Sequence, residues 1–253
     1  MIIDIQSRHE GINRVKKIWS SPENIFEMPK RITLAASVAD KITLAIASGF
    51  LLPSERVKEL AIAEKIGTSR APIREALNML KAQGILVKDA NQGFRVASFN
   101  DKTILQILKA RLSIEIIILE DAIKNWQEED PDVLGLNASI NEMHLAAVND
   151  DAIASMEADL RFHKYIADAS KNTIASTLWD AIARHVMIIL SLNKFRPDDL
   201  HAVVTHHQKL RDIIIGQVQN GLHVEKLRFE LEFHFLKVWR AQKSELWSSE
   251  TKL

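Results

Sequence analysis

Apolar positions recur along this chain at two spacings, and where the spacing changes marks an internal boundary. Leu34, Val38, Ile42 and Leu44/Ala45 follow a helical period, and Gly49 supplies a stop. Pro53-Ser54-Glu55-Arg56 reads as the opening of a second helix through Ile66, closed by Gly67. Thr68 and Ser69 offer N-cap hydroxyls to a third, with Pro72 in its first turn, where a missing N–H costs little; this helix runs to about Gln83 and stops at Gly84. Two β-prone runs follow, Ile85–Lys88 and Phe94–Ala97, joined by the turn-rich segment Asp89–Gly93. Helix, helix, turn, helix and hairpin is the order of a winged helix-turn-helix.

After a link at 98–102 the period stays helical. Six helices are predicted, over about 103–127, 133–149, 152–170, 173–192, 199–218 and 222–246, with breaks at Pro131, Asp150-Asp151, Lys171-Asn172, Arg196-Pro197 and Asn220-Gly221. Short breaks between helices favour antiparallel neighbours. The expected fold is mainly α, an N-terminal winged helix-turn-helix followed by an antiparallel all-α bundle of six to seven helices. Residues 1–30 are polar and weakly patterned and read as an N-terminal arm, 31–98 as the winged domain and 103–246 as the helical domain.

Composition narrows the class. With 253 residues, 47% apolar and 26% charged, the chain is an ordinary globular one. No uncharged apolar run reaches the ~18–20 residues of a membrane span, Val186–Leu192 being the densest, and the start lacks the basic-then-apolar order of a secretory leader. A cytoplasmic location without a membrane partner is the expectation. The absence of cysteine excludes disulfides, thiolate metal sites and cysteine nucleophiles. Net charge is zero, yet residues 1–99 carry 15 Lys+Arg against 10 Asp+Glu, and the remainder 18 against 23. Such an asymmetry suits a first part that meets a polyanion.

On the third helix Ile73, Ala76, Leu77 and Leu80 form the inward stripe, leaving Arg70, Arg74 and Asn78 on another face. Two arginines near a helix start suit phosphate contacts and bidentate reading of guanine, although a solvated face would look the same. Pro53-Ser-Glu-Arg56, Ala63-Glu-Lys-Ile-Gly67, Ser69-Arg-Ala-Pro-Ile-Arg-Glu-Ala-Leu77 and Leu80 through Leu86 together resemble the signature of the GntR family of bacterial transcription regulators. The resemblance implies contacts with double-stranded operator DNA from Arg56, Ser69, Arg70, Pro72 and Arg74, with Gly93 at the wing tip. The chain departs from the family pattern at Ser54, usually glycine, at Thr68, usually valine, and at Ala71, often threonine.

The helical part carries polar residues where apolar ones belong. Its third helix reads Ile153, Met156, Asp159/Leu160, His163 and Ile166/Ala167 along one stripe. Two later stripes, Val203-His207-Leu210-Ile214-Val218 and Val224-Leu227-Leu231-His234-Val238, each hold one histidine. Burying a carboxylate is costly unless it is paired or ligates a metal, so Asp159, His163, His207 and His234 are candidate ligands of one divalent ion per chain, against the plain alternative of core histidines. Zinc is the first choice, with nickel and manganese behind it.

The same residues, with Asn172, resemble the FCD ligand-binding domain of the FadR-type GntR subgroup. The interval from His207 to His234 is about one helical turn longer than that pattern, which leaves His206 as a competing ligand; apolar partners at +3 and +7 favour His207. Arg111, set among Ile107, Ile114 and Ile118, is a candidate for holding a small carboxylate effector, with Glu115 as its alternative internal partner. His185 shares a stripe with Leu178, Ile182, Ile189 and Leu192 and is placed at the effector cavity, the metal or the core.

No glycine-rich phosphate loop, His-Glu-x-x-His motif or nucleophile elbow occurs, so an enzyme is not expected. The resulting expectation is a homodimeric repressor controlled by an organic acid at a metal site. A metal-free regulator and a metal hydrolase with a DNA-binding appendage are the alternatives. A dimer is expected because one recognition helix reads too few base pairs for useful specificity.

Overall fold

The computed structural model describes residues 34–89, 93–128, 134–192 and 199–235. The predicted arm, the centre of the wing turn and the chain beyond residue 235 lie outside them, and with them Trp239 and Trp247. Helix α1 (Leu34–Ala47) buries Val38, Ala39, Ile42 and Ile46. Strand β1 (Arg56–Val57) and helix α2 (Glu59–Ile66) follow, so the second helix begins at Glu59 and not at Pro53. The reason is local: Ser54 takes a left-handed φ of 66°, which no helix start accepts, and Arg56 and Val57 pair with a later strand.

Helix α3 (Arg70–Ala82) buries Ile73, Ala76, Leu77 and Leu80, the predicted stripe. Ser69 occupies its N-cap position without a side-chain capping bond. Strands β2 (Leu86–Lys88) and β3 (Phe94–Val96) complete an antiparallel sheet of order β1-β3-β2. Its register sets Arg56 opposite Arg95 and Leu86 opposite Val96, so Val57, Leu86, Phe94 and Val96 face the core. A winged helix-turn-helix results.

The remainder is helical: α4 (Asp101–Glu128), α5 (Leu134–Val148), α6 (Ala152–Ala169), α7 (Thr173–Ser191), α8 (Leu200–Asn220) and α9 (224–235). Asp151, Asn172 and Asp199 cap α6, α7 and α8 by accepting backbone N–H bonds, and Asp150 and Lys171 turn the preceding corners at positive φ. By length and composition α7 could cross a membrane, the single such helix among the described residues. Instead it buries Ala175, Trp179, Val186, Ile188 and Ile189 against protein.

Two cores form. The larger joins α4 to α9 around Leu119, Ile123, Phe162 and Leu231. The smaller fills the winged domain and includes Ile188, contributed by α7. Arg184 of α7 binds Asp40 at 2.8 Å, and His185 Nε2 lies 2.9 Å from the Gln83 carbonyl at the end of α3.

Candidate metal centre and nucleic-acid interface

Three helices bring Asp159, His163, His207 and His234 together, with one potential ligand atom from each all within 4.8 Å of one another. The first three are buried and His234 is partly so. A spacing of four residues puts Asp159 and His163 on one face of α6. His207 faces them from α8, and α9 brings His234 with Leu231 and Phe235 buried beside it. Of the two neighbours, His207 belongs to the group, while His206 is exposed and stands outside it.

Hydrogen bonds fix which nitrogen each ring presents. His207 Nδ1 donates to the Val203 carbonyl at 2.9 Å, and its Nε2 lies toward Asp159. His163 Nδ1 meets Glu115 Oε2 at 2.5 Å. Burial raises Glu115, but the charges of His163 and Arg111 outweigh it and keep the carboxyl below its ordinary value. Burial likewise lowers His163 despite the neighbouring Glu115. An ionised acceptor therefore holds the ring proton on Nδ1, and His163 Nε2 is left buried with no hydrogen-bond partner. Carboxylate-to-histidine bonds of this kind orient metal ligands. Burial and the adjacent histidines push His234 well below its ordinary value.

His207 Nε2 lies 3.0 Å from Asp159 Oδ1, yet the two are not aligned as a hydrogen bond. With His163 and His234 converging on the same point, one carboxylate and three imidazoles would form a donor set that fits a shared divalent ion. Burial would raise Asp159, but the Arg111 charge and the contact with His207 hold it far below the usual carboxylate range.

Glu115 and Arg111 complete the centre. Arg111, 3% exposed, donates to Glu115 Oε1 at 2.9 Å and to Asp159 Oδ2 at 3.4 Å, and it stacks 4.1 Å over Phe235. Trp179 Nε1 donates to the same Glu115 oxygen at 3.2 Å. One guanidinium thus bridges two buried carboxylates beside three converging imidazoles. The residues present therefore fit a metal ion.

The centre opens on a cavity of about 610 Å³ lined by Arg111, Asp159, His207 and His234. Its wall also includes Ala47 and Ser48 from the end of α1 and Ile189–Ser191 from the end of α7. Ile153 and Met156 line it too, while Ser155, Ala158 and Phe162 take the buried side of α6, so the inward stripe is rotated from the predicted one. His185 is neither a wall residue nor near the metal group; it faces the winged domain, correcting the expected placement.

On the winged domain, Arg70 and Arg74 lie exposed one turn apart on α3, with Ser69 at its N-cap position and Pro72 in its first turn. Arg56 lies on β1, and a Cβ at Gly93 would come 3.1 Å from its Nε. The two groups belong to one domain but hang on different elements, the recognition-type helix and the wing.

Residues 34–96 match the model of bacterial regulatory proteins of the gntR family, and residues 106–218 match the FCD domain. The chain is 32% identical over 162 residues to a probable D-xylose utilization operon transcriptional repressor of Paenarthrobacter nicotinovorans, covering 64% of this chain and 70% of that one. It is 26% identical over 176 residues to the gluconate operon transcriptional repressor of Bacillus subtilis, covering 68% and 71%. Among solved structures, Escherichia coli McbR/YncC aligns with a TM-score of 0.66 at 18% identity, covering 87% of this chain and all of the other. A putative GntR regulator from Rhodococcus sp. RHA1 aligns at 0.63 and 18% identity, covering 82% and 98%. These two likenesses concern the fold.

Proposed function

Since this chain belongs to the GntR family of bacterial transcriptional regulators, with an FCD domain behind its winged helix-turn-helix, we propose that it is a repressor whose operator affinity is set by a small organic acid held beside a divalent metal ion. Asp159, His163, His207 and His234 hold the ion, zinc before nickel or manganese, since nitrogen-rich ligation with one carboxylate suits these metals. When bound, the ion supplies a Lewis acid with room for an oxygen donor.

The observation that carries this reading is the convergence of one carboxylate and three imidazoles from three helices, with their ligand atoms all within 4.8 Å of one another and His163 Nε2 and His207 Nε2 buried without a hydrogen-bond partner. Arg111, on the cavity wall, gives the acid a second charged contact, and the apolar wall strengthens both by excluding water. The gluconate operon repressor among the relatives is named for an operon of an organic acid, in keeping with this class.

Arg56, Ser69, Arg70, Pro72, Arg74 and Gly93 form the DNA-binding set, with α3 in the major groove. The protein acts in the cytoplasm as a homodimer on paired half-sites. A cavity bounded by the ends of α1 and α7 gives the acid differential contact with two domain arrangements, which is what a shift between them requires. Calorimetric titration of metabolite acids into the zinc-loaded chain tests the reading. At least one acid binds, and that binding weakens sharply in Arg111→Ala and after metal removal; an effector that binds equally well in all three preparations overturns it.

A further inference from the structure

Among the described residues the winged domain holds four arginines in two pairs, and each pair shares one carboxylate. Glu59 Oε1 accepts from Arg70 Nε at 3.1 Å and from Arg74 Nη2 at 3.2 Å. Asp89 Oδ2 lies 3.1 Å from Arg95 Nη2 and 3.9 Å from Arg56 Nε. The guanidinium side chains are 43–62% exposed, the two acids only 19% and 12%. Each cluster therefore shows solvent a surplus of one positive charge, with its counter-ion recessed behind.

The sheet register adds a second observation. Arg56 and Arg95 are direct partners across β1 and β3, and like charges so placed repel. Such a pair offers a stability gain to no one, and exposed ion pairs add little to folding. Asp89 relieves the repulsion, and Arg95 Nη1 also donates to the Ser54 carbonyl at 3.1 Å, which fixes its aim. A DNA phosphate is an anion that two neighbouring, solvent-exposed guanidiniums fit.

On the recognition side both bonds end on the same oxygen of Glu59, so one carboxylate tethers two long side chains of α3 to each other. Arginine loses much rotamer freedom when it binds, and a side chain already ordered loses less. The acid also repels phosphates, which weakens indiscriminate binding while leaving a well-placed base contact intact.

From these contacts we propose that Arg95 contacts a DNA phosphate beside Arg56, and that Glu59 is a positioning residue that gives Arg70 and Arg74 their sequence discrimination. The inference rests on the reading of α3 as the recognition helix. Neither residue was singled out by the motif: Arg95 lies on the wing strand, and Glu59 sits 11 residues before Arg70.

The test uses the zinc-loaded full chain, a duplex enriched by it from a random pool, and a scrambled duplex of equal length, with anisotropy titrations at several salt concentrations. Arg95→Ala weakens both duplexes by the same factor and lowers the slope of log affinity against log salt by about one, while Arg95→Lys keeps the slope. Glu59→Ala lowers the enriched-to-scrambled affinity ratio about tenfold, with scrambled binding unchanged or tighter. Glu59→Gln retains the accepting Oε1 and keeps the ratio within about threefold of the parent, a rescue that loss of folding would not show. An unchanged salt slope in Arg95→Ala, or an equal loss on both duplexes in Glu59→Ala, overturns the inference alone. If no duplex is enriched, or the Arg70→Ala/Arg74→Ala double variant binds as the parent does, the recognition-helix reading falls and takes the inference with it.

Discussion

Glu115→Gln separates the proposed work of the buried centre from mere packing. The carboxylate is fully buried and meets donors on both sides: Arg111 and Trp179 on Oε1, His163 on Oε2. An amide cannot accept at both ends. With its nitrogen toward His163, the ring must move its proton to Nε2, the atom that would ligate the ion; with its nitrogen toward Arg111 and Trp179, donors face donors. The charge balance changes as well, since one fewer negative charge makes the loaded centre more positive. Losing an outer-sphere partner weakens metal binding about 10–100-fold.

Folding suffers less than for a fully orphaned charge, because Asp159 still holds Arg111 at 3.4 Å. The lower end of the usual range for a broken buried pair, about 3 kcal/mol, is therefore expected. At ~2–4 °C per kcal/mol for a chain of this size, the metal-free melting midpoint falls by about 6–12 °C. Zinc affinity is read by competition with a chromogenic chelator, and melting by circular dichroism on metal-free protein. A variant that melts early yet keeps zinc affinity within about twofold would refute the orienting role of Glu115, because packing alone then accounts for it.

Three further outcomes follow from the same contacts. Removing metal with a chelator from protein held at about a hundredfold its dissociation constant costs ~2.7 kcal/mol, so differential scanning fluorimetry should show a fall of about 5–11 °C that zinc restores; indifference to the chelator counts against a resident ion. Ser54→Gly relieves a left-handed backbone at φ 66° and should stabilise the chain by up to ~1 kcal/mol in urea denaturation; a clear loss would show that the hydroxyl matters more than the strain. Burial lowers the His185 imidazole, so the folded state prefers it neutral and loses stability as pH falls through the unfolded value of ~6.5 toward the folded one. The melting midpoint should therefore drop less between pH 7.5 and 5.5 in His185→Gln than in the parent, and equal drops would contradict this.

The four clustered side chains were legible because a carboxylate or imidazole at an inward helical position is an anomaly that periodicity exposes. Glu115 showed only its partnership with Arg111 four residues away; its bond to His163 spans 48 residues and leaves no local trace. Strand β1 escaped notice because two residues cannot display alternation, and Ser54-Glu55 mimics a helix start. For His185 the apolar stripe leaves cavity, metal and core alike open, because an apolar stripe also results when a helix side packs on another domain. The rotated face of α6 has the same origin. Ile153 and Met156 line a cavity wall, and a wall and a core read alike in hydropathy while Ser155 and Ala158 read as neither.

Ile188 belongs to a helix of the all-α half but is 2% exposed inside the hydrophobic interior of the winged half. Neither half is then a self-sufficient module, and the seam at which a protein engineer would cut, between residues 98 and 102, is not where ownership of the interior changes. A hybrid biosensor made by splicing this winged domain to a foreign sensor inherits a socket whose plug stayed behind. Unless the new partner presents an aliphatic side chain at the equivalent place, the vacancy resembles a large-to-small core truncation, ~2–5 kcal/mol. A transplanted α7 segment carrying Arg184 and Ile188 restores both the plug and its latch to Asp40. Recombination between paralogous regulators meets the same constraint, so successful natural shuffling would carry these two positions across as a linked pair.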